Sequence, residues 1–205
     1  MDVRKDAAIL HAARRLLLQG GPAQLTMEAV AQASGVSKAT LYRRWPDRDA
    51  LLRALVAHEA APLLHTLHTV PPDEEALVRA LVRFLDGLLR FVTRPAYRRY
   101  LQAVAALPQR RADLRRIWLL GPQQAVDEVA ALLQRYAEQR GAVCAEAPRE
   151  AEALIGMAMG LDMARVLYQQ PPRHQRAAAR RCHLVWVVRR FVAGLALGPG
   201  RQAGG

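Results

Sequence analysis

The chain has 205 residues, 52% hydrophobic and 23% charged, enough to bury a core and to exclude a disordered or fibrous protein. Lys+Arg number 30 against 18 Asp+Glu, a formal charge of +12 that points to polyanions, either nucleic acid or an anionic membrane surface. Only Lys5 and Lys38 are lysines, and an excess of arginine and alanine is also what a GC-rich genome writes, so charge alone assigns no partner.

Strand signals are scarce: no Asn-Gly or Asp-Gly hairpin occurs, and β-branched residues rarely alternate with polar ones. Helical periodicity runs throughout, cut by Pro and Gly. The first helix is expected from about Arg4 to Gln19, with Ile9, Ala12, Ala13, Leu16 and Leu17 on one face; Gly20-Gly21-Pro22 ends it. Thr26 is the expected N-cap of a short helix over 27–34, with Glu28 in its first turn, and Gly35 breaks it. Ser37 caps a second short helix over 38–44, Pro46 halts that, and Asp47 caps a longer one. Further helices are expected near 73–93, 95–106, 109–119, 122–140, 147–169 and 173–197, followed by a disordered tail over 199–205.

Two short helices joined by a glycine-containing turn over residues 26–45 have helix-turn-helix geometry. Ala31 sits where the helices cross and its small side chain permits close approach. Gly35 supplies the positive φ of the turn, and Val30, Val36 and Leu41 point inward. Ser37 leaves the N-terminus of the second helix facing outward, with Lys38, Thr40, Tyr42 and Arg43 free to meet a DNA groove.

The run ILHAARRLL, then LTMEAVAQASGVSKATLYRRWPDRDALLRAL, resembles the DNA-binding domain of TetR-family transcriptional regulators over residues 9–55. Thr26, Ala31, Gly35, Val36, Ser37, Thr40, Leu41 and Tyr42 carry the likeness. Trp45 and Arg48 stand where Phe and Lys are commoner, and Leu17 and Pro22 where an aromatic is usual. The body from Tyr97 to Leu197 more loosely resembles the AefR-like C-terminal domain of that family. The resemblance implies a homodimer that sets its third helix in the major groove of a near-palindromic operator. It further implies base-edge roles for Lys38, Thr40 and Arg43, and phosphate roles for Tyr42, Arg44, Arg48 and Thr26. The chemistry of these side chains agrees: Arg and Lys suit guanine O6/N7, Thr a thymine edge, and a Tyr hydroxyl a phosphate. Arg4 and Lys5 form either an arm along the DNA backbone or a solvated basic terminus.

Elsewhere the sequence offers no catalytic constellation and no cofactor site. Gly-rich phosphate loops, HExxH and GxSxG are missing, and Cys182-His183 are adjacent and point to different helix faces. His58, His65 and His68 are read as a solvated face rather than as metal ligands, so no metal is expected. Two cysteines exclude a disulfide framework and indicate a cytoplasmic setting. Neither a signal peptide nor a membrane span is expected, because arginine interrupts every apolar stretch.

The last two helices are apolar on more than one side. One side would serve the core and the other a partner copy, with Met159, Met163, Val185, Trp186, Val188 and Val192 as candidate interface residues; a larger monomer core is the alternative. Gly156 and Gly160, four apart, suggest a close helix–helix contact. A ligand pocket among the middle helices would be lined by Phe84, Leu88, Phe91, Tyr100, Trp118, Met157 and Leu161. Arg165 would meet an anionic ligand or pair with Asp162.

The sequence therefore specifies an all-α protein: a helix-turn-helix DNA-binding domain over 1–46 fused to a larger helical ligand-binding and dimerisation domain over 47–198. The expected function is transcriptional repression by a homodimer that a small, largely apolar effector releases from DNA, without enzymatic activity. A ligand-independent DNA-binding dimer or an activator is the second reading, and a helical enzyme the third.

Overall fold

The computed structural model describes residues 3–20, 24–95, 97–99, 115, 118–119 and 121–199. The chain divides into two compact units, one of residues 1–61 with 94–121, the other of 62–93 with 122–205.

The first unit contains α1 (Val3–Gly20), α2 (Met27–Ser34), α3 (Lys38–Arg44) and the greater part of α4 (Arg48–His65). The i, i+3, i+4 spacing of apolar residues in α1 buries Ile9, Ala12, Ala13 and Leu17, and Leu16 packs against them. The same core takes Leu25, Met27, Val30 and Ala31, then Leu41, then Leu51, Leu52 and Leu55 of α4. It reaches past residue 46, where the sequence divides the chain, because the first turns of α4 close the core that α1–α3 leave open. Leu18 O accepts the Arg99 guanidinium. Glu59 sits between Arg14 at 3.3 Å and Arg94 at 3.2 Å.

The second unit holds α5 (Glu74–Thr93), α6 (Pro122–Glu138), α7 (Ala147–Met159), α8 (Asp162–Leu167) and α9 (Ala177–Gly194). Asp73 caps α5 by accepting the Ala76 N–H at 2.6 Å. One face of α5, including Leu77, Leu81, Phe84, Leu85 and Leu88, is buried. Leu154 of α7 and Leu184, Val187, Val188 and Phe191 of α9 are buried as well. A Cβ at Gly87 would stand 2.5 Å from Leu63 Cδ1, so the glycine is what permits that approach.

Three sequence expectations change here. The helix expected over 147–169 is broken at Gly160, whose φ of 49° and ψ of −127° a helix cannot hold. Among the described residues, apart from chain neighbours and the helix's own backbone, nothing lies within 4 Å of a Cβ built at Gly156 or Gly160, so neither marks a close approach there; Gly160 is there for its backbone angle. The ordered chain also runs on beyond α9. Gly198 and Pro199 pair antiparallel with Val143 and Ala142 as two-residue strands β2 (Gly198–Pro199) and β1 (Ala142–Val143). Two residues are too few to show a period of two in sequence. Most of the helices expected over 95–106 and 109–119 lies outside the described residues.

Candidate nucleic-acid interface

The helix-turn-helix is built from short-range bonds. Thr26, in extended backbone, accepts the Ala29 N–H on Oγ1 at 3.1 Å and starts α2. Gly35 ends it with φ 71°, its N–H donating to Gln32 O at 3.4 Å. Ser37 Oγ accepts the Thr40 N–H at 3.2 Å and lies 2.9 Å from Thr40 Oγ1. The seven residues of α3 have one fully buried side chain, Leu41; Val36 and Trp45 flank it, packed on the same core. Asp47 starts α4 by accepting the Ala50 N–H at 2.6 Å.

This leaves Lys38, Tyr42 and Arg43 exposed on α3, with Thr40 and Arg44 half-buried. Arg43 has no hydrogen bond or ion pair among the described residues. Lys38 Nζ sits 3.5 Å from Glu28 Oε1 on α2. The Glu28 carboxyl is held below the usual carboxylate range, first by its own backbone hydrogen bond, then by Lys38, with the Tyr42 hydroxyl adding a hydrogen bond. Arg44 Nε lies 3.1 Å from Asp6 Oδ1 and ties the end of α3 to the first turn of α1. Arg48 begins α4 and is half-buried. Glu28 and Asp6 are the site residues that sequence reasoning missed. Glu28 reads there only as a helix-start acid, and Asp6 is 38 positions from its partner.

The residues read as a ligand pocket are dispersed. Phe84 and Leu88 are packed in the core of the second unit and Phe91 is half-buried. Trp118 and Met157 are exposed, and Leu161 is 76% exposed. Tyr100 lies outside the described residues. Leu161 and Arg165 share a concavity, a groove of about 490 Å³ that Met159, Gly160, His174, His183 and Trp186 also line. Arg165 Nε is 4.0 Å from Asp162 Oδ1, and Asp162 Oδ1 also accepts the Arg173 N–H at 2.8 Å.

The residues read as a dimer face divide as well. Trp186 is 56% exposed, with the Arg190 guanidinium over its ring at 4.6 Å, and Met159, Met163 and Val192 are half-buried. Val188 is fully buried in the protomer's own core beside Leu184, Val187 and Phe191, which removes it from any outer face; half-buried Val185 lines a different groove, against α5. His65 and His68 meet edge-on, and His68 contacts Glu128 at 3.5 Å; no cluster of three metal-ligand side chains forms among the described residues. No helix among them is long and apolar enough to cross a membrane.

Residues 9–55 match the profile of bacterial regulatory proteins of the tetR family. An HTH-type transcriptional regulator of Mycobacterium tuberculosis is 47% identical over 55 residues, 27% of this chain and 27% of its own length. The DNA-binding transcriptional repressor TetR of Mycobacteroides abscessus is 38% identical over 58 residues, 28% of this chain and 30% of its own. The match thus spans under a third of these curated relatives. A solved TetR regulator from Agrobacterium tumefaciens superposes with a TM-score of 0.73 over 94% of both chains at 21% identity, a likeness of fold. All three are named as regulators of transcription and none as an enzyme.

Proposed function

The chain carries the DNA-binding domain of the tetR family of bacterial regulatory proteins, and on that premise we propose that it is a homodimeric transcriptional repressor. It leaves a near-palindromic operator when a small molecule binds its helical body. The observation that carries the DNA-binding reading is α3 itself: one buried anchor, Leu41, a capping bond to Ser37, and every other long side chain turned to or towards solvent. Such a helix has little structural work on its outer face, and its cationic and hydroxyl groups suit base edges and phosphates.

Arg43, without a protein partner among the described residues, enters a groove at no cost in broken ion pairs. Lys38 must exchange Glu28 for DNA, and Arg44 must exchange Asp6, so these two contribute less per contact than their charge suggests. Tyr42, Arg48 and Thr26 serve phosphates. Met157, Leu161, Tyr168 and Trp186, all exposed on α7–α9 and the short segments beside them, support dimerisation through that side of the body. α4 begins in the DNA-binding unit and ends in the helical body, which supports it as the element that transmits effector binding to α3.

The test is selection of bound duplexes from a random pool by the full-length protein, followed by titration of variants. Tyr42→Phe and Arg48→Ala should weaken binding to all sequences, Arg48→Ala also flattening the log–log salt slope by about one unit. Arg43→Ala should cost roughly 1–3 kcal/mol at one or two operator positions and leave random DNA nearly unaffected, with Lys38→Ala doing so more weakly. Failure of the pool to enrich any sequence would remove the repressor reading.

A further inference from the structure

Between α5 and α9 lies a second groove, of about 560 Å³, with arginine walls and an apolar floor. Arg79, Arg83 and Arg90 reach it from α5, and Arg180, Arg181 and Arg189 from α9. Against these six guanidiniums stand two carboxylates, Glu75 and Asp86, leaving a surplus of four positive charges in one concavity. Val78, Val82 and Val185 form the floor.

The two acids do not neutralise the groove evenly. Asp86 Oδ1 accepts Arg180 Nε at 2.6 Å and Asp86 Oδ2 lies 3.0 Å from Arg90 Nε. Glu75 accepts Arg189 Nη2 on both oxygens, at 2.8 and 3.0 Å. These three arginines are spoken for; Arg180 and Arg189 tie α9 to α5, while the Arg90 pair lies within α5. Arg79, Arg83 and Arg181 have no hydrogen bond or ion pair among the described residues. Three arginines without a partner among the described residues line this groove from two helices over an apolar floor, although like charges so placed repel one another and favour dispersal into solvent. That arrangement gains from an anion that joins them.

The geometry points to a binding site for a compact organic anion of two or three negative charges, carboxylate or phosphate, whose apolar part rests on Val78, Val82 and Val185. The volume lies in the range of small-ligand sites. The order along α5 sets the size limit. Arg79 and Arg83, about 6 Å apart along the axis, are bracketed by Glu75 and Asp86, about 16 Å apart. A small di- or trianion can span Arg79 and Arg83 without displacing the arginines already paired with Glu75 and Asp86. A monoanion would leave at least one guanidinium unmatched. The planar, bidentate forks of arginine suit carboxylate and phosphate, with acid pairs on the neighbouring arginines keeping the walls in place.

This inference stands apart from operator binding, because its test reads the anion directly. Pyrophosphate, citrate and phenyl phosphate are titrated calorimetrically into the full-length protein at constant ionic strength, with acetate as the monoanion control. At least one of the three should bind saturably and acetate should not. Arg79→Gln, Arg83→Gln and Arg181→Gln should each weaken that binding about tenfold, the size expected for one partly solvated charge-assisted bond. Arg149→Gln, an exposed arginine outside the groove, should leave it unchanged. All three targets are exposed and have no partner among the described residues, so circular dichroism should show the fold retained. Absence of saturable binding by all three probes overturns the site, as does binding that survives the triple variant. Loss of random-duplex affinity in the triple variant, with no small anion bound by the wild type, would give the groove to nucleic acid instead.

Discussion

Leu41→Ala tests whether one side chain holds the DNA-reading helix in place. α3 has seven residues and is too short to persist in water by itself, since nucleating a helix is costly and few bonds repay it. Its attachment rests on Leu41, which is 0% exposed, with Ser37 as cap and Val36 and Trp45 partly buried beside it. The substitution removes three carbon atoms from the core, about 2.4 kcal/mol in transfer alone, and about 3–5 kcal/mol once an incompletely collapsed cavity is included. Loss of the Ser37 cap, by comparison, costs about 1 kcal/mol. Hydrogen exchange at the amides of Leu41, Tyr42 and Arg43 should therefore accelerate about a hundredfold or more in Leu41→Ala, and only about fivefold in Ser37→Ala. Amides of Leu81 and Leu85 in α5 should be unchanged, because those residues belong to the other unit. Operator affinity should fall with the fraction of molecules whose α3 is docked. If protection at these amides drops less than tenfold and operator binding is intact, the caps and the flanking Val36 and Trp45 hold α3, and the single-anchor account is wrong.

Glu28→Gln frees Lys38 and removes a negative charge beside the DNA face, so operator and random duplexes should both bind severalfold more tightly, a gain that shrinks with salt; weaker binding in anisotropy titrations would mean that Glu28 is needed to aim Lys38. Trp186→Arg should convert the proposed dimer to a monomer in sedimentation velocity with little change in melting temperature, whereas Val188→Arg places a charge in the protomer core and should unfold the helical body, at a cost of more than about 4 kcal/mol. A wild-type protein that sediments as a monomer at micromolar concentration refutes the dimer. Burial, then the charges of His183 and Arg173, holds His174 below the usual imidazole range. The unfolded chain therefore binds that proton better, and stability complete above about pH 6.5 declines as the pH falls from there towards the lowered native pKa. His174→Gln should flatten the loss of melting temperature between pH 7.5 and 5.5; an unchanged slope would assign the acid loss to other groups.

The parts of this molecule legible in its sequence are those made by neighbours. Thr26, Ser37 and Asp47 each bond an N–H three residues on, and Gly35 is needed for a backbone angle rather than for space. Both facts are local, and residue type at a fixed offset reveals them. The apolar stripe of α5 is equally plain, but its meaning is not. Phe84 and Leu88 read as well for a pocket wall as for a core, and what decides is whether another element covers them. Val188 poses the same ambiguity on α9, where four buried residues and exposed Trp186 share one apolar-looking helix.

Charge is the least legible of all, because its partners are distant in the chain. Arg44 meets Asp6, Arg180 meets Asp86 94 positions away, and Arg189 meets Glu75 114 positions away. Composition counts every arginine alike and allows genome bias as the whole explanation. Placement separates them. Some arginines are structural and spend their charge on a carboxylate, as Arg44, Arg180 and Arg189 do. Others, Arg43 on α3 and Arg79, Arg83 and Arg181 in the α5–α9 groove, have no protein partner among the described residues. Genome bias accounts for how many arginines there are but not for three of them, without partners among the described residues, lining one apolar floor where Glu75 and Asp86 are already paired with others. An unpaired guanidinium on a flat surface is simply hydrated. Held beside two others in a groove, it carries a repulsion that a matched anion relieves, which is why this surplus, unlike the rest of the +12, reads as recognition.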